Sequence, residues 1–297
     1  APKLERHLST QQSLSNWKAA QYWKEEGLER VVLARETSAE EIREIKEKVD
    51  IEVEIFVHGA MCIAYSGRCV LSNHMTARDS NRGGCCQSCR WNYDMFQNTD
   101  DKNFIPLSTE NTPFTMSSKD MNLIKHVPEI VELGVDSLKI EGRMKSIHYI
   151  ATVVSVYRKV IDAYCADPEN FVFKDEWLTE LAKCANRDTA EGFFKEFPGV
   201  NEQLFKNHSH KTSHEFAGMV LDYDEESKMV TLQQRNYFKP GDEVEFFGPE
   251  IENFTMVVDK IFDEKGNEID AARHPLQIVK FRVDQPVYRY NMMRKEN

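Results

Sequence analysis

Cysteine side chains are concentrated in one short part of this chain. Five of its seven cysteines lie between residues 62 and 89. Four of them, Cys62, Cys69, Cys85 and Cys89, are separated by six, fifteen and three residues. Thiolates are soft ligands that suit zinc or an iron–sulfur cluster far better than magnesium or calcium. The pattern therefore predicts a metal centre built from these four residues.

The spacing of the cysteines bears on which metal they would bind. Zinc fingers and ribbons usually pair ligands two to four residues apart, and only the gap between Cys85 and Cys89 fits that rule. Irregular gaps favour a cluster held by loops of a larger fold, with zinc as the alternative. Cys86 introduces an ambiguity, since two adjacent cysteines do not easily bind one metal, and we expect Cys85 to be the ligand. Buried or redox-inert thiols are the alternative to any metal.

Polar residues precede the first cysteine on a predicted strand. Glu54 and His58 lie on the same face of the strand that leads to Cys62, because alternate residues of a strand share a face. An inward-facing carboxylate needs a partner, so this face is a candidate polar core or substrate site. A satisfied buried ion pair is the alternative interpretation.

A second charged group follows another predicted strand. Lys139, Glu141 and Arg143 alternate at its carboxyl end, which is where (β/α) barrels carry their functional residues. Arg143 could bind a carboxylate with two hydrogen bonds, and an ordinary charged turn is the alternative. Arg82, between the cysteines, belongs to a set of basic residues that could contact phosphate or form a solvated loop.

Alternating strand and helix patterns must position these residues. Strands are predicted at Arg6–Ser9, Arg30–Ala34, Ile51–His58, Phe114–Ser117 and Ser137–Ile140, and helices at Ser13–Glu26, 38–49 and Met121–Leu133. This βαβα order predicts an α/β fold with a parallel sheet. A closed (β/α)₈ barrel needs eight strands. We therefore expect either an open sheet or a partial TIM-type barrel lacking its N-terminal units, which the absence of an initiator Met favours.

The pattern changes in the second half of the chain. A long helix is predicted at Ile147–Tyr164, followed by a helical, aromatic-rich stretch to about His208. Six short strands are then predicted at Gly218–Asp222, Met229–Gln233, Glu243–Phe247, Thr255–Phe262, Ile278–Val283 and Val287–Tyr290, which suggests a small antiparallel β-barrel. The predicted domains are a partial barrel over residues 1–150, a helical connection over 151–212 and a β-barrel over 213–297.

Composition limits the class of protein. The 297 residues include no apolar run of the roughly 20 residues that a membrane span needs, and we expect no membrane association. Seven unevenly spaced cysteines make a poor disulfide framework, so we expect a reducing, cytoplasmic location. The formal net charge of −11 argues against a purely electrostatic RNA binder. Any contact with RNA must therefore come from a local patch.

The cysteine region resembles a known family motif. From Glu54 to Ser72 the sequence reads E-x-F-x-x-G-A-M-C-x₄-G-x-C-x-L-S, and the segments HLSTQ, VVLARE and KIEGRMKS occur outside it. Together they resemble the collagenase-like peptidases of family U-32 over nearly the whole chain. The resemblance implies an incomplete N-terminal barrel and a C-terminal β-barrel. Relatives commonly have a small residue at the position of Cys86.

The resemblance also implies an activity. Some family members are described as proteases, whereas others hydroxylate RNA or quinones and hold a 4Fe–4S cluster on cysteines of this motif. This sequence is most similar to members that convert the wobble uridine of tRNA to 5-hydroxyuridine with prephenate. By this resemblance the four cysteines would bind the cluster and tRNA would be the partner. Lys139 and Arg143 would bind the anionic co-substrate, and Glu141 or His58 would transfer protons.

Two other functions stay open. A peptidase acting on collagen-like or unfolded protein is one, although the sequence has neither a G-x-S-x-G nor an H-E-x-x-H motif. A dyad of Cys62 and His58 is the conceivable nucleophile and base. The other is a non-enzymatic RNA-binding or scaffold subunit that docks a partner through its β-barrel. A homo- or hetero-oligomer is possible for any of them, because a truncated barrel would expose a sheet edge.

Overall fold

The computed structural model describes residues 4–100, 103–107, 114–202, 204 and 212–297. Its backbone contacts divide the chain into two compact units. The first comprises Ala1–Arg143, Val160–Phe171 and Arg187–Ser209, and the second comprises Met144–Lys159, Val172–Asn186 and His210–Asn297. The predicted boundary near residue 207 falls mostly outside the described residues, and the three-domain division stays a prediction. Within the described ranges, no helix is both long enough and apolar enough to cross a bilayer.

Strands and helices alternate over the first two thirds of the chain. In order they are β1 His7–Leu8, α1 Trp17–Glu25, β2 Arg30–Val32, α2 Ala39–Lys48, β3 Glu52–Gly59, α3 Leu71–Thr76, β4 Phe96–Asp100, β5 Asn103–Pro106, β6 Asp120–Asn122, α4 Val127–Glu132, β7 Ser137–Ile140, α5 Ile147–Ala166, α6 Asp175–Ala182 and β8 Thr189–Ala190. The first five predicted elements are thereby confirmed to within a few residues.

The first unit is built on one mixed sheet. Its strand order is β1-β2-β3-β6-β8, with β7 paired to β3 as well. Strands β1, β2, β3 and β7 are mutually parallel, whereas β6 runs antiparallel to β3. The predicted α/β class with a parallel sheet is confirmed. Parallel pairing matters for function because it brings the carboxyl ends of β2, β3 and β7 to the same edge.

Local sequence explains the helices that flank this sheet. Helix α2 begins at a capping box, in which the Ser38 hydroxyl accepts from the Glu41 N–H and the Glu41 carboxylate accepts from the Ser38 N–H. Its inner face buries Ile42 and Ile45. Helix α1 begins after the cap Asn16 and is followed by Gly27 at φ +78°, a left-handed conformation that glycine adopts most easily.

Several predicted elements are wrong. Helix α4 is shorter than the predicted Met121–Leu133, because the residues before it pair with β3 as strand β6 and Pro128 lies in its first turn. At Phe114–Ser117 only Phe114 pairs, in an isolated bridge. The helical stretch predicted to His208 ends at Ala182 in the described residues, since glycine and proline interrupt the sequence near residues 192–199. The hairpin β4–β5 was not predicted.

The second unit contains a single antiparallel sheet. Its strands are β9 His214–Asp224, β10 Met229–Gln234, β11 Glu243–Phe247, β12 Phe254–Val257, β13 Ile261–Phe262, β14 Glu268–Ile269, β15 Ile278–Arg282 and β16 Met292–Glu296. The order β12-β11-β16-β9-β10-β15-β13-β14 leaves two ends in the described strands. The sheet is a curled half-barrel around a core that includes Val230, Leu232, Phe246, Phe281 and Met293.

The last predicted strand is a turn in the structure. Val287–Tyr290 precedes β16, and Tyr290 has φ +74°, which is a genuine outlier for a bulky residue. The turn is fixed by Asn291, which is fully buried. Its side-chain oxygen accepts from the Tyr288 N–H at 2.7 Å and its amide donates to the Pro249 carbonyl at 2.9 Å. The alternation of apolar residues in this segment predicts a strand, but hydrogen bonds of Asn291 make it a turn.

A buried charge network joins helix α6 to the curled sheet. The Arg294 side chain is fully buried, and it donates to Glu245 at 2.6 Å and to both oxygens of Glu180 at 2.7 and 2.8 Å. Lys183 donates to Glu245 at 2.9 Å. Burial alone would raise the pKa of Glu245, but the hydrogen bonds from Arg294 and Lys183 lower it below its usual value. The Glu245 carboxylate is therefore ionised at neutral pH.

Removing the central cation of this network should destabilise the second unit. Arg294→Ala leaves the largely buried carboxylates of Glu180 and Glu245 to share the charge of Lys183, and we expect the free energy of unfolding to fall by about 3 kcal/mol. Urea denaturation of the full chain measures this loss. Arg282→Ala is the matched control, because Arg282 also pairs with a carboxylate, Asp284, but its side chain is 64% exposed. Equal losses in the two variants would contradict the assignment.

A buried histidine should make the same unit sensitive to acid. His148 lies between the rings of Phe216 and Phe247, and burial, assisted by the charge of Arg294, lowers its pKa to about 4. Below pH 6.5 His148 is protonated in the unfolded chain but stays neutral in the folded chain. The stability therefore decreases as the pH is lowered from 6.5 to about 4. The slope approaches about 1.4 kcal/mol per pH unit. His148→Phe should flatten the stability profile between pH 6.5 and 5, and an unchanged slope would refute this account.

Candidate functional site

The four predicted ligands surround one cavity in the first unit. The cavity has a volume of about 150 Å³ and is lined by Cys62, Cys69, Cys85 and Cys89. Its wall is completed by Thr10, Gln11, Arg35, Arg90, Glu141 and Arg143, among others. The structure thus brings together thiols that are up to 27 positions apart in the sequence. All seven cysteines are free of disulfide bonds.

Two glycines allow the segment that carries the four cysteines, residues 62–89 (the cysteine loop), to approach the ends of the parallel strands. Gly59 ends β3 with φ +105°, and a Cβ there would lie 2.2 Å from the Glu141 carbonyl oxygen. Gly67 has φ +72°, and a Cβ there would lie 2.0 Å from the Gln11 carbonyl oxygen. Any side chain at either position would force these backbones apart. The two glycines therefore set the depth of the cavity.

One buried ion pair fastens both ends of the cysteine loop. Arg90 follows the last cysteine and donates to Asp120 on β6 at 2.9 Å, with both side chains only 5–6% exposed. The same guanidinium donates to the Met61 carbonyl at 3.1 Å, directly before the first cysteine. Met61 also accepts from the Ser118 hydroxyl at 3.2 Å. The loop is therefore closed through one arginine.

The remaining cysteine of the window, Cys86, lies outside the cavity. It contacts the hydroxyls of Ser72 at 3.2 Å and Thr76 at 3.4 Å, on helix α3. These hydrogen bonds lower the pKa of the Cys86 thiol to about 7. The two adjacent cysteines therefore have different environments, because Cys85 lines the cavity and Cys86 contacts helix α3. This separation agrees with the expectation that Cys85 is the candidate ligand.

The thiols of the cavity influence one another electrostatically. Although Cys62 is partly exposed to solvent, the protein atoms packed around its thiol raise its pKa, and burial raises the pKa of Cys89 to about 11. In both cases the other cavity thiols raise the pKa further, while positive charge opposes the shift, chiefly from Arg35 for Cys62 and from Arg90 for Cys89. Binding a metal would require these thiols to lose their protons. The raised pKa values of Cys62 and Cys89 therefore oppose this loss of protons in the metal-free chain.

Zinc and an iron–sulfur cluster place different demands on the positions of four thiols. Four sulfurs bound to one zinc at about 2.3 Å must lie about 3.8 Å apart. In the described part of the chain, no three histidine, cysteine or carboxylate side chains are grouped closely enough to hold a metal ion. A 4Fe–4S cluster places each thiolate on a different iron, so its sulfurs surround a larger volume. The four thiols line one cavity, which is the common requirement of both kinds of centre.

Of the predicted catalytic residues, Glu141 lies at the cavity and His58 lies behind it. Glu141 follows β7, and its carboxylate accepts from the Arg143 N–H at 3.1 Å. The His58 carbonyl accepts from the Glu141 N–H at 2.9 Å, while its side chain is 95% buried. Arg143 lines the cavity and donates to the carbonyls of Gly83 and, at 2.9 Å, Cys85. Arg143 therefore supports the loop that carries a candidate ligand.

The other predicted substrate-binding residues are not part of the cavity wall. Lys139 and Ser137 each donate to Glu54 at 2.9 Å. Glu54 and Lys139 therefore form an ion pair, which is the alternative to a substrate site that the sequence left open for Glu54. Burial would raise the pKa of Glu54, but these two hydrogen bonds lower it. The Arg82 side chain is 88% exposed and lies 3.5 Å from Asp79. The structure does not bring Glu54, Lys139 or Arg82 together with the thiols.

Arg35 is a cavity residue that sequence reasoning missed. It lies three residues after the end of β2, at the edge where the parallel strands end, and its guanidinium lies 3.6 Å above the centre of the Phe56 ring. Its side chain is 10% exposed. The signal was available in the sequence, because Arg35 interrupts the apolar run at a predicted strand end.

Family models match both halves of the chain. The model of peptidase family U32 matches residues 1–204, and the model of the peptidase family U32 C-terminal domain matches residues 212–294. The two matches correspond broadly to the mixed sheet and to the curled antiparallel sheet. The expected resemblance to family U-32 is therefore confirmed.

Named relatives cover most of the chain. The Bacillus subtilis tRNA hydroxylation protein P1 is 73% identical over 99% of this chain and 70% of its own length. The Haemophilus influenzae tRNA hydroxylation protein P is 35% identical over 91% of this chain and 68% of its own. The Escherichia coli 23S rRNA 5-hydroxycytidine C2501 synthase is 37% identical over 54% of this chain and 24% of its own length. By sequence and by both family models, this chain belongs to peptidase family U32.

Proposed function

We propose that this protein hydroxylates the wobble uridine of tRNA to 5-hydroxyuridine in the cytoplasm. The observation that carries the proposal is the single cavity lined by four cysteines of the family motif. The tRNA substrate is suggested by relatives named tRNA hydroxylation proteins at 73% and 35% identity. A relative named for rRNA hydroxylation supports RNA as the substrate class. The chain's acidic net charge leaves recognition to local contacts.

The proposed cofactor is a 4Fe–4S cluster on Cys62, Cys69, Cys85 and Cys89, with zinc as the less suitable alternative. When bound, an iron–sulfur cluster would supply electron-transfer chemistry at this cavity. The chain's own residues would hold the group and limit its exposure to solvent. Arg90 would fix the loop that carries the ligands, through its contacts to Asp120 and Met61.

Prephenate is the proposed co-substrate, and its carboxylates would bind near the cavity mouth. Of the two basic residues predicted for this role, Arg143 is better placed, since it lines the cavity while Lys139 is paired with Glu54. Glu141 is the proposed proton-transfer group, because its carboxylate also faces the cavity. His58 would act by holding the backbone of Glu141. Arg82 is exposed and would meet the phosphates of RNA.

The parallel strands are consistent with a segment of a (β/α) barrel. The cysteine loop follows the carboxyl end of β3, and Glu141 and Arg143 follow the carboxyl end of β7. Active sites of (β/α) barrels occupy this end of the strands. We therefore propose that the mixed sheet is part of such a barrel in the functional protein, where further units or an oligomer partner would cover its edges.

The cluster proposal predicts opposite results for two adjacent cysteines. Cys85→Ser should lower iron and sulfide content on the order of 10-fold or more and abolish 5-hydroxyuridine in tRNA from cells that depend on the variant. Cys86→Ser should retain both, because Cys86 faces helix α3. Anaerobic absorption spectra, iron and sulfide assays, and mass spectrometry of tRNA nucleosides measure the outcomes. Loss of iron in Cys86→Ser with retention in Cys85→Ser would contradict the assignment.

A protease is the second candidate, favoured by the family name. Its conceivable dyad is Cys62 with His58, but the protein atoms packed around the Cys62 thiol raise its pKa, whereas a nucleophilic cysteine needs a lowered one. Purified, metal-free protein should therefore leave gelatin uncleaved at neutral pH. Robust cleavage that survives Cys62→Ser would favour a peptidase over the cluster protein, and cleavage lost in Cys62→Ser would point to the dyad.

A further inference from the structure

The cavity wall contains a buried cation whose hydrogen-bonding capacity is not satisfied. In the part of the chain that the structure describes, the Nε of Arg35 is buried and has no hydrogen-bond partner. The nearest carboxylate is Glu141, whose Oε2 lies 4.0 Å from Nη2, beyond hydrogen-bond distance. Arginine keeps its charge under all ordinary conditions. Arg35 therefore has only a long ion pair to compensate its charge, and a buried N–H donor without a hydrogen bond is unfavourable, so its presence requires an explanation.

The other arginines of the wall differ from Arg35 in this respect. Arg90 is neutralised by Asp120 at 2.9 Å and also donates to a carbonyl. Arg143 donates to two carbonyls and is exposed to water. Arg35 instead rests on the Phe56 ring, which orients the guanidinium without compensating its full charge. Of these three, Arg35 is the one that has a buried donor, Nε, without a partner among the described residues.

The thiols that line the same cavity supply a suitable negative charge. A cluster can bind only after Cys62, Cys69, Cys85 and Cys89 lose their protons, and four thiolates around iron form an anionic group in a partly buried site. Burying that anion alone is unfavourable, as is burying the guanidinium alone. Placing the two together compensates both charges, and the N–H groups of arginine can donate to sulfur.

We propose that Arg35 is the counter-ion of the cysteine-bound centre, a positioning residue that stabilises its charge and donates a hydrogen bond into the cavity. The inference rests on the proposed iron–sulfur cluster but not on the identity of the RNA. Arg35 is then unsatisfied in the metal-free chain and satisfied in the loaded one. It should raise the reduction potential, because positive charge nearby favours the more negative, reduced state.

The test compares metal-free and loaded forms of the full chain. Arg35→Met keeps the side chain's bulk and its contact with Phe56 but removes the charge. The metal-free variant should be as stable as the parent or more stable, whereas the loaded variant should lose its iron to a chelator on the order of 10-fold faster. Its midpoint potential, measured by one-electron reductive titration, should shift to a more negative value. Arg35→Lys, which retains the charge, should lie between the two.

Arg82→Gln is the matched control, because it removes one positive charge from the cysteine loop at an 88% exposed position. Its potential and its rate of iron loss should equal those of the parent. A metal-free Arg35→Met protein that unfolds or loses stability would overturn the inference, since Arg35 would then be a structural residue. Unchanged potential and iron retention with a raised KM for a carboxylate co-substrate would overturn it in favour of substrate binding. A parent protein that loads no iron would refute the proposed cluster itself.

Discussion

The buried pair of Arg90 and Asp120 is the interaction on which the cysteine arrangement depends. One guanidinium bonds to strand β6 and to the carbonyl of Met61, so it holds the residue before the first candidate ligand and lies beside the last. Removing Asp120 would leave the buried charge of Arg90 without its carboxylate, at a cost of about 3–5 kcal/mol. Because β6 pairs with the end of β3, the loop is attached to the strand from which it emerges. The cavity is therefore defined by a contact outside the ligands themselves.

Sequence alone predicted the parts of this site that depend on residue type and local order. The grouping of the four cysteines, the capping box at Ser38 and the parallel sheet could all be predicted, because spacing and periodicity encode them. The direction of each side chain could not be predicted from the sequence alone. Lys139 and Arg143 are equally spaced about Glu141, yet one pairs with Glu54 and the other reaches the loop. That difference arises from contacts with residues far away in the sequence.

The same limit explains the errors in predicted elements. Met121 belongs to a strand because β3 and β8 offer backbone partners on both sides, which no local pattern reveals. Val287–Tyr290 has strand-like alternation but becomes a turn because buried Asn291 satisfies its backbone. In both cases tertiary hydrogen bonds override an intrinsic preference. Adjacent Cys85 and Cys86 differ for a similar reason, since the hydroxyls of helix α3 bind only the second thiol.

The chain's net charge of −11 does not describe the surroundings of the cavity. Its wall contains Arg35, Arg90 and Arg143 against the single carboxylate of Glu141. Exposed charges more than about 8–10 Å away are screened at physiological salt, whereas a buried charge is screened much less. The local balance of the wall therefore outweighs the distant acidic surface for any group inside it. Of these cations Arg90 is already neutralised, so the attraction for an anion depends mainly on Arg35 and Arg143, which reach the cavity from two different strand ends.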